Sequence, residues 1–234
     1  MTVTLGQAVT EVRALLDETN QAFYSTTQLE SWINQGCADV ARRAEILWEE
    51  QDVITVPNIG TYPFPVDFLT VHRAIYCINP PIDAVGALTQ PLEFREINSM
   101  DENWGMIEGL PAAWPRWFTI RGNSVINFQL MMYPAPAAAG ALRIFYYRQA
   151  RVTTSTTANI DTLSGWEDIV YDYAVFKAQR SAHLPEWKDA FGLYEAKLMQ
   201  MINQTRNFTD QMNQITSGMG NVPVYAYGDL GDGW

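Results

Sequence analysis

Nucleophilic catalysis needs a thiol or hydroxyl held beside a base, and this 234-residue chain offers few candidates. Its two cysteines, Cys37 and Cys77, stand singly among apolar neighbours, Cys37 in a helical pattern and Cys77 in a strand pattern. Neither belongs to a CxxC pair, and a thiol on an apolar stripe is a buried, inert one. The two histidines, His72 and His183, have no metal-ligand spacing, and no GxSxG segment is present. Two groups of carboxylates are close enough in sequence to suggest paired acid and base work on a glycan: Glu49, Glu50 and Asp52, and then Glu167 with Asp168. Both groups fall at expected helix ends, and Glu167 and Asp168 suit the first turn of a helix through its dipole. Asp229 and Asp232 lack the spacing of a calcium loop. The glycines at 218–220 and 228–233 lack the strand before and helix after that a phosphate cradle needs. The expectation is a protein with no catalytic centre, no metal and no cofactor.

The aromatic side chains carry more information. Trp104, Trp114, Trp117, Phe118, Phe128, Tyr133, Phe145, Tyr146 and Tyr147 concentrate in the middle of the chain. Alternation along residues 144–147 puts aromatics on both faces of one strand, so one set fills a core and the other is left for helices or a neighbour. Exposed Trp114, Trp117 or Tyr133 would also serve as a sugar platform, which makes a carbohydrate-binding or glycan-processing module the competing reading. Near the C-terminus Tyr225, Tyr227 and Trp234 stand in a Gly- and Asn-rich segment. They read either as part of a frayed end or as anchors on a partner, since Tyr and Trp dominate interface hot spots.

These side chains are placed by two kinds of element. Leu5, Ala8, Val9, Val12, Leu15 and Leu16 recur at helical spacing. A second stripe, Leu29, Ile33, Cys37, Val40, Ala41, Ala44 and Leu47, follows a start signal at Thr26 or Thr27, with Glu30 completing a capping box. From residue 51 the pattern alternates with period two and is cut by prolines and glycines. Strands are expected near residues 52–56, 71–78, 117–120, 125–130 and 141–147, a short helix over 92–104, and a loop over 151–165. Ser164 with Glu167 opens a further helix, and Pro185 the last one, whose apolar pattern fades near Phe208. The expected architecture is α+β: an antiparallel helical bundle of residues 1–50 and 151–210, an inserted antiparallel β lobe over 51–150, and an extended C-terminal tail over 211–234.

The formal charge of −11 argues against a simple nucleic-acid binder, which needs a basic patch. The densest basic run is the pair Arg42-Arg43. An acidic body would repel DNA, as the wall of a channel crossed by DNA would, and it equally keeps a protein soluble. No stretch approaches the length of a membrane span, and residues 1–10 lack the features of a secretory signal.

The order of these elements resembles that of the head-to-tail adaptors of tailed bacteriophages, the head–tail connectors that include tail tubular protein A. The likeness is carried by Ser31-Trp32-Ile33-Asn34 and Ala41-Arg42-Arg43-Ala44-Glu45 in the paired N-terminal helices. It continues through Tyr62-Pro63-Phe64-Pro65-Val66-Asp67-Phe68-Leu69 and through Pro115-Arg116-Trp117-Phe118 up to Met132-Tyr133-Pro134-Ala135-Pro136. Leu142-Arg143-Ile144-Phe145-Tyr146-Tyr147 and the closing pair of helices complete it. The resemblance implies a structural virion protein of the neck, made in the bacterial cytoplasm. It implies a homo-oligomeric ring, usually of twelve copies, between the portal protein and a tail or nozzle protein. DNA would pass through the channel without being read, and Tyr225, Tyr227 and Trp234 would bind the portal. Another tail or baseplate protein is the nearest alternative in the same class.

Overall fold

The computed structural model describes residues 2–18, 23–78, 81–96, 114–122 and 128–219, with side chains up to residue 205. Two helices open the chain, α1 (Leu5–Leu15) and α2 (Thr26–Ala44). Seven strands follow: β1 (Trp48–Thr55), β2 (Thr61–Pro63), β3 (Phe68–Cys77), β4 (Thr89–Phe94), β5 (Trp117–Arg121), β6 (Gln129–Tyr133) and β7 (Gly140–Arg148). Helices α3 (Glu167–Ser181) and α4 (Trp187–Met219) close it.

The strands form one seven-stranded sheet in the order β1-β7-β3-β4-β5-β6-β2. All pairings are antiparallel except β4 with β5. The two edges of the sheet, β1 and β2, are consecutive in the chain and joined by residues 56–60 alone, so the sheet curls until it is nearly closed. Tyr62 ties the seam: its hydroxyl accepts from the Val56 N–H at 2.9 Å and donates to the Ile59 carbonyl at 2.8 Å. Two register shifts in β3, at Phe68/Thr70 and Val71/Arg73, supply the local bend that closure requires. The interior holds Tyr62, Phe64, Phe68, Ala74, Tyr76, Leu92, Phe118, Leu130, Met132, Leu142, Ile144 and Tyr146.

This corrects the expected architecture. The sheet is a nearly closed, barrel-like unit that dominates the fold with four helices beside it, not a small lobe inserted in a helical bundle. Periodicity marks a strand but not its neighbour, and closure depends on long-range pairs such as Trp48 with Tyr147 and Thr55 with Gly140. The helix expected over 92–104 is overturned at its start, because Leu92 lies in β4 with its side chain in the barrel core. Pro91 is tolerated there because β4 is short and its pairing to β5 begins only at Glu93.

A separate core unites the helices. Leu5, Val12, Leu29, Ile33, Ile169, Leu198 and Met201 are buried together, with Tyr194 among them. The α1 cap is Thr4 with Gln7, and the α2 cap is Ser25 with Gln28, in place of the expected Thr26 or Thr27 and two residues before the expected box of Thr27 with Glu30. Thr4 (φ −79°, ψ 157°) and Ser25 (φ −69°, ψ 152°) are both extended, which is the backbone an N-cap needs. Helix α3 has no side-chain cap bond; the Glu167 carboxylate instead accepts from the Gly165 N–H at 2.8 Å. Helix α4 continues beyond Phe208 to Met219, and its 33 residues span about 50 Å. The segment between β7 and α3 is exposed but not loose. Its carbonyls at Thr156 and Ala158 accept from the first N–H groups of α1 at 2.9 Å, and Asn34 bonds both the N–H and the carbonyl of Thr153.

Candidate interaction surfaces

The seam between the barrel and the helices is ionic. Arg148 leaves the end of β7 with its side chain largely buried, and its guanidinium meets Asp161 at 2.5 and 3.0 Å and Glu49 at 3.0 Å. Arg151 joins Glu49 to Asp67 at 2.7 and 3.1 Å, and its own N–H donates to Asp161. Burial alone would raise the Asp161 pKa, but the Arg148 and Arg151 bonds outweigh it and hold the carboxyl below its usual range. Tyr146, whose hydroxyl faces Asp67, is pushed up to about 12, by burial first and by the charge of Asp67 next. A second network lies inside the helical layer, where Arg43 forks onto Glu195 at 2.6 and 2.7 Å and the Tyr194 hydroxyl donates to Asp39 at 2.5 Å.

Ion pairs engage three of the five carboxylates that sequence singles out; Glu50 and Glu167 have none among the described residues. Glu49 is neutralised by two arginines, Asp52 is forked by Arg143 at 2.7 Å, and Asp168 pairs with Lys197 at 2.9 Å. Cys37 and Cys77 are both buried and outside any disulfide, and burial pushes the Cys37 thiol up to about 12. His72 lies 5.9 Å from the Tyr147 ring on the outer face of the sheet, and His183 turns the α3–α4 corner with φ +56°.

Of the sugar-platform candidates, Trp117 has the Arg95 guanidinium stacked 4.5 Å from its centroid, and its indole N–H donates to Glu93 at 3.1 Å. One ring face is therefore already covered. Trp114 and Tyr133 are half-buried. The tail candidates Tyr225, Tyr227 and Trp234 lie outside the described residues, as do Trp104, Asp229 and Asp232.

Two surfaces that sequence reasoning misses stand at opposite ends of α3. At its N-terminal end a groove of about 520 Å³ runs between helices and sheet, lined by Ile46, Trp48, Tyr147, Leu163 and Trp166 with Glu45 at the rim. Trp48 is 65% exposed there. At the C-terminal end, the α3–α4 corner, Lys177, Arg180 and Lys188 lie over aromatic rings. Arg180 stands 5.6 Å and Lys188 6.0 Å from the Trp187 centroid, and Lys177 5.3 Å from that of Tyr173. Phe176 and Phe191 pack beside them at 5.1 Å, with Leu184 and Phe191 partly open to solvent. No local pattern joins Trp48 to Trp166, so neither surface has a sequence signature.

Exposed aromatic and apolar side chains at two separate places are the kind of surface that association covers. The SU10 adaptor protein family model matches residues 3–222, nearly the whole chain, and the chain belongs to that family. It is therefore a bacteriophage structural adaptor, a virion component whose family role implies contact with other capsid or tail proteins and oligomerisation. No curated protein matches the chain. Among the described residues no helix is long and apolar enough to cross a membrane.

Proposed function

We propose that this chain is a head-to-tail adaptor, copies of which form a ring between the portal and the tail and line the channel through which DNA leaves the head. The observation that carries the reading is the family match over residues 3–222. The acidic body, with a formal charge of −11, fits a channel wall that lets DNA pass without gripping it. A ring of twelve copies is the number that the resemblance to head–tail connectors implies. The portal protein is the partner on one side and a tail or nozzle protein on the other.

Tyr225, Tyr227 and Trp234 are the proposed portal anchors. Ordering such a segment costs conformational entropy, which burial of three aromatic side chains would offset. The test is co-sedimentation of the purified chain with portal-bearing capsids that lack the adaptor. Full-length protein should pellet with the capsids, and a chain cut after Met219, which keeps all of α4, should not. Equal binding by the truncated chain would remove the tail from the proposal and leave the adaptor role standing. Failure of the full chain to bind would contradict the adaptor role itself.

A further inference from the structure

The two surfaces at the ends of α3 carry excess charge of opposite sign. The 15 residues of α3 separate them by about 22 Å. The groove end carries Glu45 at its rim, and Glu50 projects from the same face of β1 as Trp48. The corner end carries the cations Lys177, Arg180 and Lys188 around Trp187, with the exposed carboxylates Glu186 and Asp189 in the same turn leaving a small positive excess. Among the described residues no ion pair engages Glu45, Glu50, Lys177, Arg180 or Lys188.

Helix dipoles explain part of this layout but not all of it. Arg180 in the last turn of α3 and the acidic pair Glu167 and Asp168 in its first turn stand where the dipole favours them. Glu45 does not: it is the C-cap of α2, at the negative end of that helix, and it holds a left-handed backbone with φ +50°. Lys188 does not either, since it sits in the first turn of α4, at the positive end. Each already has opposite charge on its own helix end, Arg42 and Arg43 in the last turn of α2 and Asp189 in the first turn of α4, so the dipoles leave both free to face a partner.

We propose that the α3–α4 corner of one copy docks into the groove of the next, its aromatic and aliphatic side chains entering beside Trp48 and its cations facing Glu45 and Glu50. The inference rests on the adaptor reading for the requirement that copies associate. One contact of this kind joins two different patches, so it repeats head to tail and closes into a ring when the rotation per copy allows. An occupied groove also gives Trp48 and Leu163 the cover they lack in a single copy.

The experiment is a charge swap on the full chain. One variant reverses the corner (Arg180→Glu with Lys188→Glu), and the other reverses the groove rim (Glu45→Lys with Glu50→Lys). Wild type at high concentration is treated with a carbodiimide, which joins an amine to a carboxylate in contact, after mixing isotope-labelled and unlabelled copies. Links between Lys177 or Lys188 of one copy and Glu45 or Glu50 of another are expected. Native mass spectrometry should show each variant alone associating about tenfold more weakly than wild type. A one-to-one mixture should recover association, with even copy numbers only, because each reversed corner then meets a reversed groove. Recovery on mixing also shows that both variants are folded. Unchanged association of either variant, no recovery on mixing, or inter-copy links that join other faces would overturn the contact. None of those results touches capsid binding, so the adaptor reading stands or falls separately.

Discussion

At the residue scale the fold hangs on a few side chains that sequence gives little reason to notice. Gly140 starts β7 where an added Cβ would lie 2.5 Å from the Cys77 carbonyl oxygen and 2.6 Å from the Tyr76 hydroxyl. Gly140→Ala must therefore push two strands apart, and it should cost about 1–3 kcal/mol in urea unfolding. Arg148 is the second such residue. Removing it leaves the partly buried Asp161 without its fork, and Arg148→Ala should destabilise by about 2–3 kcal/mol, below the cost of breaking a fully buried pair because water reaches both groups. Asp161 also sets an acid limit. Its folded pKa lies below its unfolded value, so its contribution is complete above about pH 4 and is lost as pH falls through the folded value. Acid titration of Asp161→Asn, followed by circular dichroism, should show lower stability at pH 7 and a shallower loss of stability below pH 4 than wild type. An unchanged slope would mean that Asp161 does not titrate as described.

At the element scale the helices test the rules for reading starts and stops. Sequence places the α2 cap at Thr26 or Thr27, but it is Ser25 that stands before the first helical residue, with its Oγ accepting from the Gln28 N–H at 3.2 Å. Ser25→Ala should cost about 1 kcal/mol and Thr27→Ala a few tenths at most, a difference that thermal melts resolve. The amphipathic stripes of α1 and α2 are legible because each helix buries one face: Leu5, Ala8, Val9 and Val12 in the first, Leu29, Ile33, Cys37 and Val40 in the second. Strands β3, β5 and β7 are legible for the same reason, through their alternation. What the sequence hides is pairing. Phe94, Ile97, Met100 and Trp104 recur at helical spacing in the sequence, and nothing near Leu92 reveals that β5, more than 20 residues on, runs parallel beside β4. Closure of the barrel, and with it the groove at Trp48, follows from such pairings and is invisible to local pattern. The corner at Trp187 is hidden differently: its aromatic spacing is that of an ordinary core stripe, and only the packing of α3 shows which rings are left at the surface.

At the scale of the whole molecule the sheet and the helices divide the work. The barrel supplies a stiff body with its own apolar interior, and the helical layer places an acidic aromatic groove and a basic aromatic corner at its two ends. The Glu49–Arg148–Asp161–Arg151–Asp67 network ties the end of the barrel to the segment that packs on the helices. The resemblance to connector proteins was carried by short segments such as Tyr62-Pro63-Phe64-Pro65. These lie at the barrel seam, where Tyr62 and Phe64 fill the interior, and their spacing reports that local geometry rather than the surface that binds a partner. The most direct test of the adaptor role is electron microscopy of the purified chain with portal-bearing capsids. Rings of the protein at the portal vertex, absent from capsids incubated without it, are the expected result. Capsids whose portal vertex stays bare at saturating protein would contradict it.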